Sequence, residues 1–299
     1  MNEKLYDMNT LLYGNGINIT MGAPSWGKLL KKVFSSKEKE TLEGVPSTIT
    51  YETLFMEMPK TVRNNTEYNV KRSVVHKLKS FQGNLLKKMS SIPFDAYMTT
   101  NYDQSLEYYL NNKDKNLKTK EIRFSLFRKN ACEKNGMPIN IWHIHGDVKA
   151  PASIMLGFDQ YCRYLRRIEL YVLGKLKGIS EVPLEQRIVE IQNDINVKSW
   201  IDLFFLSDIY IVGFGLDYSE IDIWWLLCHR ARLIRKGMNI KNHIFFYDPF
   251  VSPAKRNVLE ALGVQVIDGL SYYKNSTEEN FYKKWYNNVF DSIERKINR

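Results

Sequence analysis

Apolar residues along this chain gather in short runs that end abruptly in glycine or polar residues. Thr10 to Tyr13 leads into Gly14-Asn15-Gly16, Phe94 to Met98 into Thr99-Thr100-Asn101, Ile139 to Ile144 into His145-Gly146-Asp147, and Ile209 to Val212 into Gly213-Phe214-Gly215. Two more runs, Ile244 to Tyr247 and Val264 to Ile267, end in Asp248-Pro249 and Asp268-Gly269. Short, nearly continuous apolar runs of this kind are what strands buried on both faces look like. Between them the period changes to that of helices. Ser25 opens Trp26 to Phe34, where Leu29, Leu30 and Val33 share a face; Asp103 to Leu110 and Ser219 to Ile234 follow their strands directly; Ser252 and Pro253 start a helix to Leu262. The stretches 50–92 and 155–205, long, charged and periodic, are read as helical insertions, and 277–297, with Phe281, Trp285, Val289 and Ile293 four apart, as a C-terminal amphipathic helix. Strand, turn and helix recurring in this way predict an α/β fold, one doubly wound, mainly parallel sheet of about six strands, over residues 1–299.

Composition narrows the class. An apolar fraction of 44% with 25% charged residues excludes a fibrous or disordered chain. The apolar stretch Ile209 to Leu216 is bounded by Asp208 and Asp217, far short of the roughly 18 residues a membrane span needs. Met1 to Thr10 carries Glu3, Lys4 and Asp7 and has no signal-peptide core, so a cytoplasmic location is expected. Cys132, Cys162 and Cys228 are scattered and form no CxxC pair, which leaves neither a disulfide framework nor a zinc ribbon. The balance of 43 Lys+Arg against 33 Asp+Glu, a net +10, favours anionic partners. The excess clusters at 113–134 and at 229–241, the latter holding Arg230, Arg232, Arg235, Lys236 and Lys241 without an acid. These clusters read as solvated faces or as a nucleic-acid or partner surface.

Ligands of open parallel sheets bind beyond the carboxyl ends of the strands, where strand order reverses. Every polar cluster above lies at such an end, so Gly14, Asn101, His145, Gly213 and Asp248 are expected around one crevice. Gly14-Asn15-Gly16 gives a turn where bare backbone can meet a pyrophosphate, but Ile19 stands where a dehydrogenase fingerprint needs its third glycine. On a strand His143 and His145 point the same way, and with Asp147 they offer a metal ligand set; the preferred reading keeps His143 structural and makes His145 functional, since only His145 reaches the strand end. Asn101 offers a donor and an acceptor for a ribose or a water, while Asp103 is an N-cap or a support for the Asn101 loop.

Together these blocks resemble a known family. Leu11-Leu12-Tyr13-Gly14-Asn15-Gly16-Ile17-Asn18 continuing to Gly22-Ala23-Pro24-Ser25-Trp26, then Thr99-Thr100-Asn101-Tyr102-Asp103, His145-Gly146-Asp147 and Gly213-Phe214-Gly215-Leu216-Asp217 are similar, in order, to the SIR2-like (sirtuin-like) domains of bacterial anti-phage defence proteins. The resemblance implies a Rossmann-type sheet with a pocket for NAD+ as substrate, Asn101 and His145 as catalytic residues, and Gly14, Asn15, Gly16, Asn18, Thr100, Asp103, Gly213, Phe214, Gly215 and Asp248 as the dinucleotide's surroundings. Two departures shape it. Gly215 stands where the family usually carries serine, and the zinc module of protein-deacylating sirtuins, two CxxC pairs, is absent. The expectation is therefore an NAD+ glycohydrolase without a metal. His145 would take a proton from water or a ribose hydroxyl, Asn101 would orient that group, and Asp248 would meet the adenosine ribose.

Two other readings compete: a non-catalytic module that senses NAD or another nucleotide for a partner, and a metal-dependent phosphoesterase or nuclease on His143, His145 and Asp147. An NAD-draining enzyme needs a resting state, and with little sequence after Asn298 the switch is expected from a homo-oligomer or from a defence partner such as an ATPase or nucleic-acid-guided sensor. The stretches 50–92, 155–205 and 229–241 are the expected contact surfaces.

Overall fold

In a computed structural model, which describes residues 8–34, 42, 44–59, 66–110, 123–193, 197–269 and 278–298, all six expected runs are strands of one sheet. They are β1 (Asn9–Tyr13), β2 (Ala96–Thr99), β4 (Met137–His143), β5 (Asp208–Val212), β6 (Ile244–Asp248) and β7 (Val264–Asp268). A seventh, β3 (Lys129–Lys134), lies antiparallel on β4 at the edge, and the order is β3-β4-β2-β1-β5-β6-β7. The chain builds outward from β1 in one direction, then restarts at β5 on its other side. Strand order thus reverses between β1 and β5, the Rossmann-type arrangement.

Sequence patterning hid β3 because its residues read as part of a basic run. Its cations are occupied locally: Arg128 is buried, Lys129 lies over the Trp142 ring at 4.9 Å, and Lys134 lies over Tyr97. Residues 113–122 of that run lie outside the described residues. In the other basic run Arg230 is also buried, bonded to Asn242, which leaves Arg232, Arg235, Lys236 and Lys241 exposed.

Successive strand residues feed opposite faces, as pleating requires. Leu12, Met98, Trp142, Ile211 and Phe246 join one buried cluster, whereas Leu11, Tyr97, Ile141, Tyr210 and Phe245 join another. The chain before β2 supplies α1 (Asn15–Ile19), α2 (Trp26–Val33), α3 (Ser47–Met56), α4 (Thr66–Lys77) and α5 (Asn84–Ser91). Later helices are α6 (Phe158–Val172), α7 (Leu184–Asn193), α8 (Trp200–Leu206), α9 (Ile221–Arg235), α10 (Pro253–Ala261) and α11 (Glu278–Ile297). The stretches read as insertions divide by what they bury. Helices α6 and α8 place Tyr161, Tyr164, Ile168, Trp200 and Phe204 against the first sheet face, and α5 places Leu85, Leu86 and Met89 against the second. Helices α2, α3 and α4 form a third cluster, with Leu30, Tyr51, Val74, Tyr102 and Ile154, over the carboxyl ends of the strands.

One expected helix is absent. Asp103 to Leu110 forms successive turns, because its side chains are not amphipathic in the folded chain: Asp103, Ser105, Leu106 and Glu107 are all buried, each polar one in hydrogen bonds with other segments or with its neighbours. No helix among the described residues is long and apolar enough to cross a membrane.

Helix α11 covers the second face through Phe281, Trp285, Val289, Phe290 and Ile293. Phe290 is fully buried, so Phe290→Ala should cost about 3–5 kcal/mol in a urea unfolding experiment. Met137→Ala, at the exposed β3–β4 turn, should change stability by less than about 0.5 kcal/mol.

Candidate active site

The glycines after β1 and β5 touch each other across the point where strand order reverses. Gly16 donates its N–H to the Gly213 carbonyl at 2.8 Å. A Cβ on Gly14 would lie 2.9 Å from the Gly213 oxygen and the Phe214 Cα, and Gly213 holds φ +65, a region side chains disfavour. Gly14 therefore serves the packing of the two turns and does not line the cavity above them. Gly215 is different: a Cβ there meets nothing within 4 Å.

That cavity, about 330 Å³, lies beyond the strand ends and under the roof helices. It gathers Asn15, Gly16, Thr100, Asn101, Asp103, His145, Gly213, Phe214 and Gly215, nine of the twelve residues expected at the site from sequence. Asn18 stands one layer back, donating to the Asp103 carboxylate at 2.8 Å. Asp248 is outside the lining and accepts the N–H of Phe250. Trp26, Thr48, Tyr102 and Phe81 complete the walls. Three polar atoms of the lining, Asn101 Nδ2, Thr48 Oγ1 and Glu220 Oε2, are buried without a hydrogen-bond partner. Such orphans are rare in folded proteins and mark groups that await a ligand or water.

His145 enters from the turn after β4. Gly146, at φ +118, lets Ile154 approach so closely that a Cβ would sit 2.6 Å from its Cα, and Met155 N–H bonds the His145 carbonyl at 2.9 Å. The ring is fixed on both sides. Nε2 meets the carboxylate of fully buried Asp222 at 2.8 Å, Nδ1 meets the Tyr161 hydroxyl at 3.2 Å, and Glu220 Oε2 is 3.8 Å from Nδ1. Burial disfavours the imidazolium, but Asp222 and Glu220 outweigh it and raise the His145 pKa above 6.5. Burial likewise pushes the Glu220 carboxyl up, to about 7, against the pull of His145. Donor atoms of His145, Glu220 and Asp222 lie within 4.8 Å of one another, a set of types that a divalent cation takes.

Sequence reasoning missed Tyr161, Glu220 and Asp222. The two acids open α9, where carboxylates commonly complement the helix dipole, so their spacing carried no distinctive signal. Only the proximity of α9 to the β4 turn pairs them with His145.

His143 belongs to a separate buried network. Its Nε2 meets Glu107 at 2.7 Å and its Nδ1 meets the Asn101 carbonyl at 3.2 Å, while Asp147 lies 3.9 Å away. Asp147 also accepts from Gln104, Asn130 and the Lys149 N–H, and so caps the loop that follows it. Burial opposes charge on His143, yet Asp147 and Glu107 lift its pKa to about 9. The Asp147 carboxyl, for all its burial, is held below its ordinary range by His143 and these donors. The grouping of His143, His145 and Asp147 as one ligand set does not form, because the two rings have different partners.

Fold and site together define a Rossmann-type protein with a histidine and an asparagine facing one cavity at the strand-order reversal. A family model described as SIR2-like domain matches residues 95–267, and the chain belongs to that family. It is 24% identical over 254 residues to the NAD(+) hydrolase ThsA of Cytobacillus dafuensis, a match covering 82% of this chain and 42% of that protein. It is 22% identical over 175 residues to the NAD(+) hydrolase ThsA of Bacillus cereus strain MSX-D12, covering 57% of this chain and 34% of the relative. The chain thus spans less than half the length of these two relatives.

Two outcomes follow from this geometry. Gly14→Ala should destabilise the protein by about 1–3 kcal/mol through the clash with Gly213 and Phe214, whereas Gly215→Ser should stay within about 0.5 kcal/mol of wild type in urea unfolding. Because folded His143 keeps its proton to about 9 against an ordinary 6.5, its stabilisation is complete below 6.5 and disappears as pH rises through 9. Unfolding measured between pH about 6 and about 10 should show this loss in wild type and a flatter profile in His143→Gln.

Proposed function

We propose that the chain hydrolyses NAD+ at the bond between nicotinamide and ribose, giving nicotinamide and ADP-ribose. The observation that carries this reading is the meeting of Asn101, with an unpaired buried amide, and His145, clamped by Asp222, on one cavity beside the glycine turns. Membership of the SIR2-like family and similarity to two NAD(+) hydrolases support it.

The chemistry needs little acid catalysis, since the leaving base is already a pyridinium. The C1′–N1 bond breaks with its electron pair passing to the ring nitrogen, and neutral nicotinamide departs. A water oxygen bonds to C1′ of the oxocarbenium-like centre, and its proton moves to His145. Asp222 determines which ring nitrogen acts: Nε2–H donates to the carboxylate, leaving Nδ1, on the side of Tyr161 and Glu220 at the cavity wall, as the acceptor. Asn101 orients the ribose or the water through its unpaired amide, and its backbone is tied by His143. Asp103, held by Asn18 and Ser105, fixes the Asn101 loop. The pyrophosphate lies along Asn15, Gly16, Gly213 and Gly215, where exposed backbone and helix N-termini favour anions. Asp248 meets the adenosine ribose only if the dinucleotide extends past the cavity.

The motif resemblance adds a biological role: depletion of NAD+ in anti-phage defence by a cytoplasmic enzyme, switched by self-assembly or by a partner. The exposed cations Arg232, Arg235, Lys236 and Lys241, at the end of α9 and just beyond it, are the surface offered to such a partner.

Nicotinamide release over a protein concentration series tests the reading. His145→Ala and Asn101→Ala should each lower turnover by about 100-fold or more while the fold is kept, and EDTA should leave the rate unchanged. Rate loss on chelation would instead favour a cation at His145, Glu220 and Asp222. A hydrolysis rate that needs neutral His145 should rise with pH through a midpoint above 6.5. Absence of release at every concentration, with NAD+ bound, would favour the sensing module.

A further inference from the structure

The protein carries a net charge of +10, yet among the described residues that line its cavity there is no lysine or arginine. Three lining residues, Asp103, Asp217 and Glu220, are acids. Two of them are accounted for. The Asp103 carboxylate is engaged on both oxygens, by Asn18 and by Ser105, and Asp217 is exposed and turns one oxygen back to the Ser219 N–H. Glu220 is neither. Its side chain is 18% exposed, its Oε2 is buried without a hydrogen bond, and it stands at the N-cap of α9 without capping the helix through its side chain. His145, 3.8 Å away, and the Tyr161 hydroxyl compensate it only in part, because that ring's nearer partner is Asp222, at 2.8 Å and fully buried behind it. A carboxylate at this depth with incomplete compensation is costly, and a cation that arrives beside it favours its charged form.

Resting on the NAD+ reading above, we propose that Glu220 is the specificity-determining residue of the cavity. Its carboxylate, with Oε2 lacking a hydrogen bond, receives the positively charged nicotinamide ring of an oxidised dinucleotide and discriminates against the neutral ring of the reduced one. The two forms share the pyrophosphate, both riboses and the adenine, so what separates them at this site is chiefly the ring's charge. The aromatic faces of Trp26, Tyr102 and Phe214 in the same wall favour the cation too.

The test compares the calorimetric affinities of carba-NAD+, which keeps the pyridinium charge on a bond that does not hydrolyse, and of NADH. Wild type should bind carba-NAD+ at least about tenfold more tightly than NADH. Glu220→Gln, which keeps the shape and removes the charge, should bring the ratio within about twofold of unity, and Glu220→Asp should restore part of the preference. A loss of fold would weaken both ligands together, whereas loss of the charge moves their ratio. Equal affinities in wild type, or an undiminished preference in a folded Glu220→Gln, would overturn the proposal, and the wild-type comparison decides should that variant fail to fold. Failure of the hydrolase reading is distinct: carba-NAD+ is then preferred over NADH although no nicotinamide is released from NAD+. Binding of neither ligand would overturn both.

Discussion

The contact between the two glycine turns at the strand-order reversal is the constraint on which the site depends. β1 and β5 are neighbours that leave the sheet in the same direction, so the segments after them must separate or interlock. Here they interlock, with Gly16 bonded to Gly213 and no space for a side chain at Gly14. That closeness leaves the cavity floor built from backbone, and it sets the height at which the asparagine after β2 and the histidine after β4 look inward. Lys255 braces the same loop from outside through the carbonyls of Gly215 and Leu216.

Two histidines two residues apart have separate work because the strand ends between them. His143 is the last residue of β4 and is locked among Glu107, Asp147 and the Asn101 carbonyl, a network that keeps a charged ring buried by surrounding it with acids. His145 lies in the turn beyond, where Gly146 redirects the backbone and α9 supplies Asp222. In the first case the acids hold the loop that carries Asn101. In the second Asp222 holds one ring nitrogen and Glu220 stands 3.8 Å from the other, its Oε2 without a hydrogen bond. Buried ionisable groups are tolerable only when paired, so this asymmetry between the two clusters separates a supporting network from a chemical one.

Surface and cavity have opposite electrostatic characters. Some cations serve the fold, as with Arg230 on Asn242 and Lys129 over Trp142, and others are exposed at the end of α9 and just beyond it. The cavity lining, without lysine or arginine among the described residues, offers an anion backbone groups and helix ends instead. A dinucleotide suits that division, since its diester phosphates need no side-chain cation where amides converge, while its cationic base calls for an acid.

The sequence by itself determined the α/β class, the six core strands, the C-terminal helix and most residues of the cavity, because strand ends are marked by abrupt changes from apolar to glycine or polar residues. It also carried the family, through four short blocks whose order matters more than any one of them. The family model begins at residue 95, so the block around Gly14 lies before it, although β1 is the centre of the sheet. Tertiary structure alone decided the rest. β3 was hidden because an edge strand half exposed to water need not be apolar, and the turns of 103–110 looked helical because local period cannot register buried polar groups that bond to other segments. Glu220, Asp222 and Tyr161 reach His145 from 16 to 77 residues away, through the packing of α6 and α9 on one sheet face. No local pattern encodes such a meeting, since an acid in the first turn of a helix looks the same whether it faces water or a buried imidazole.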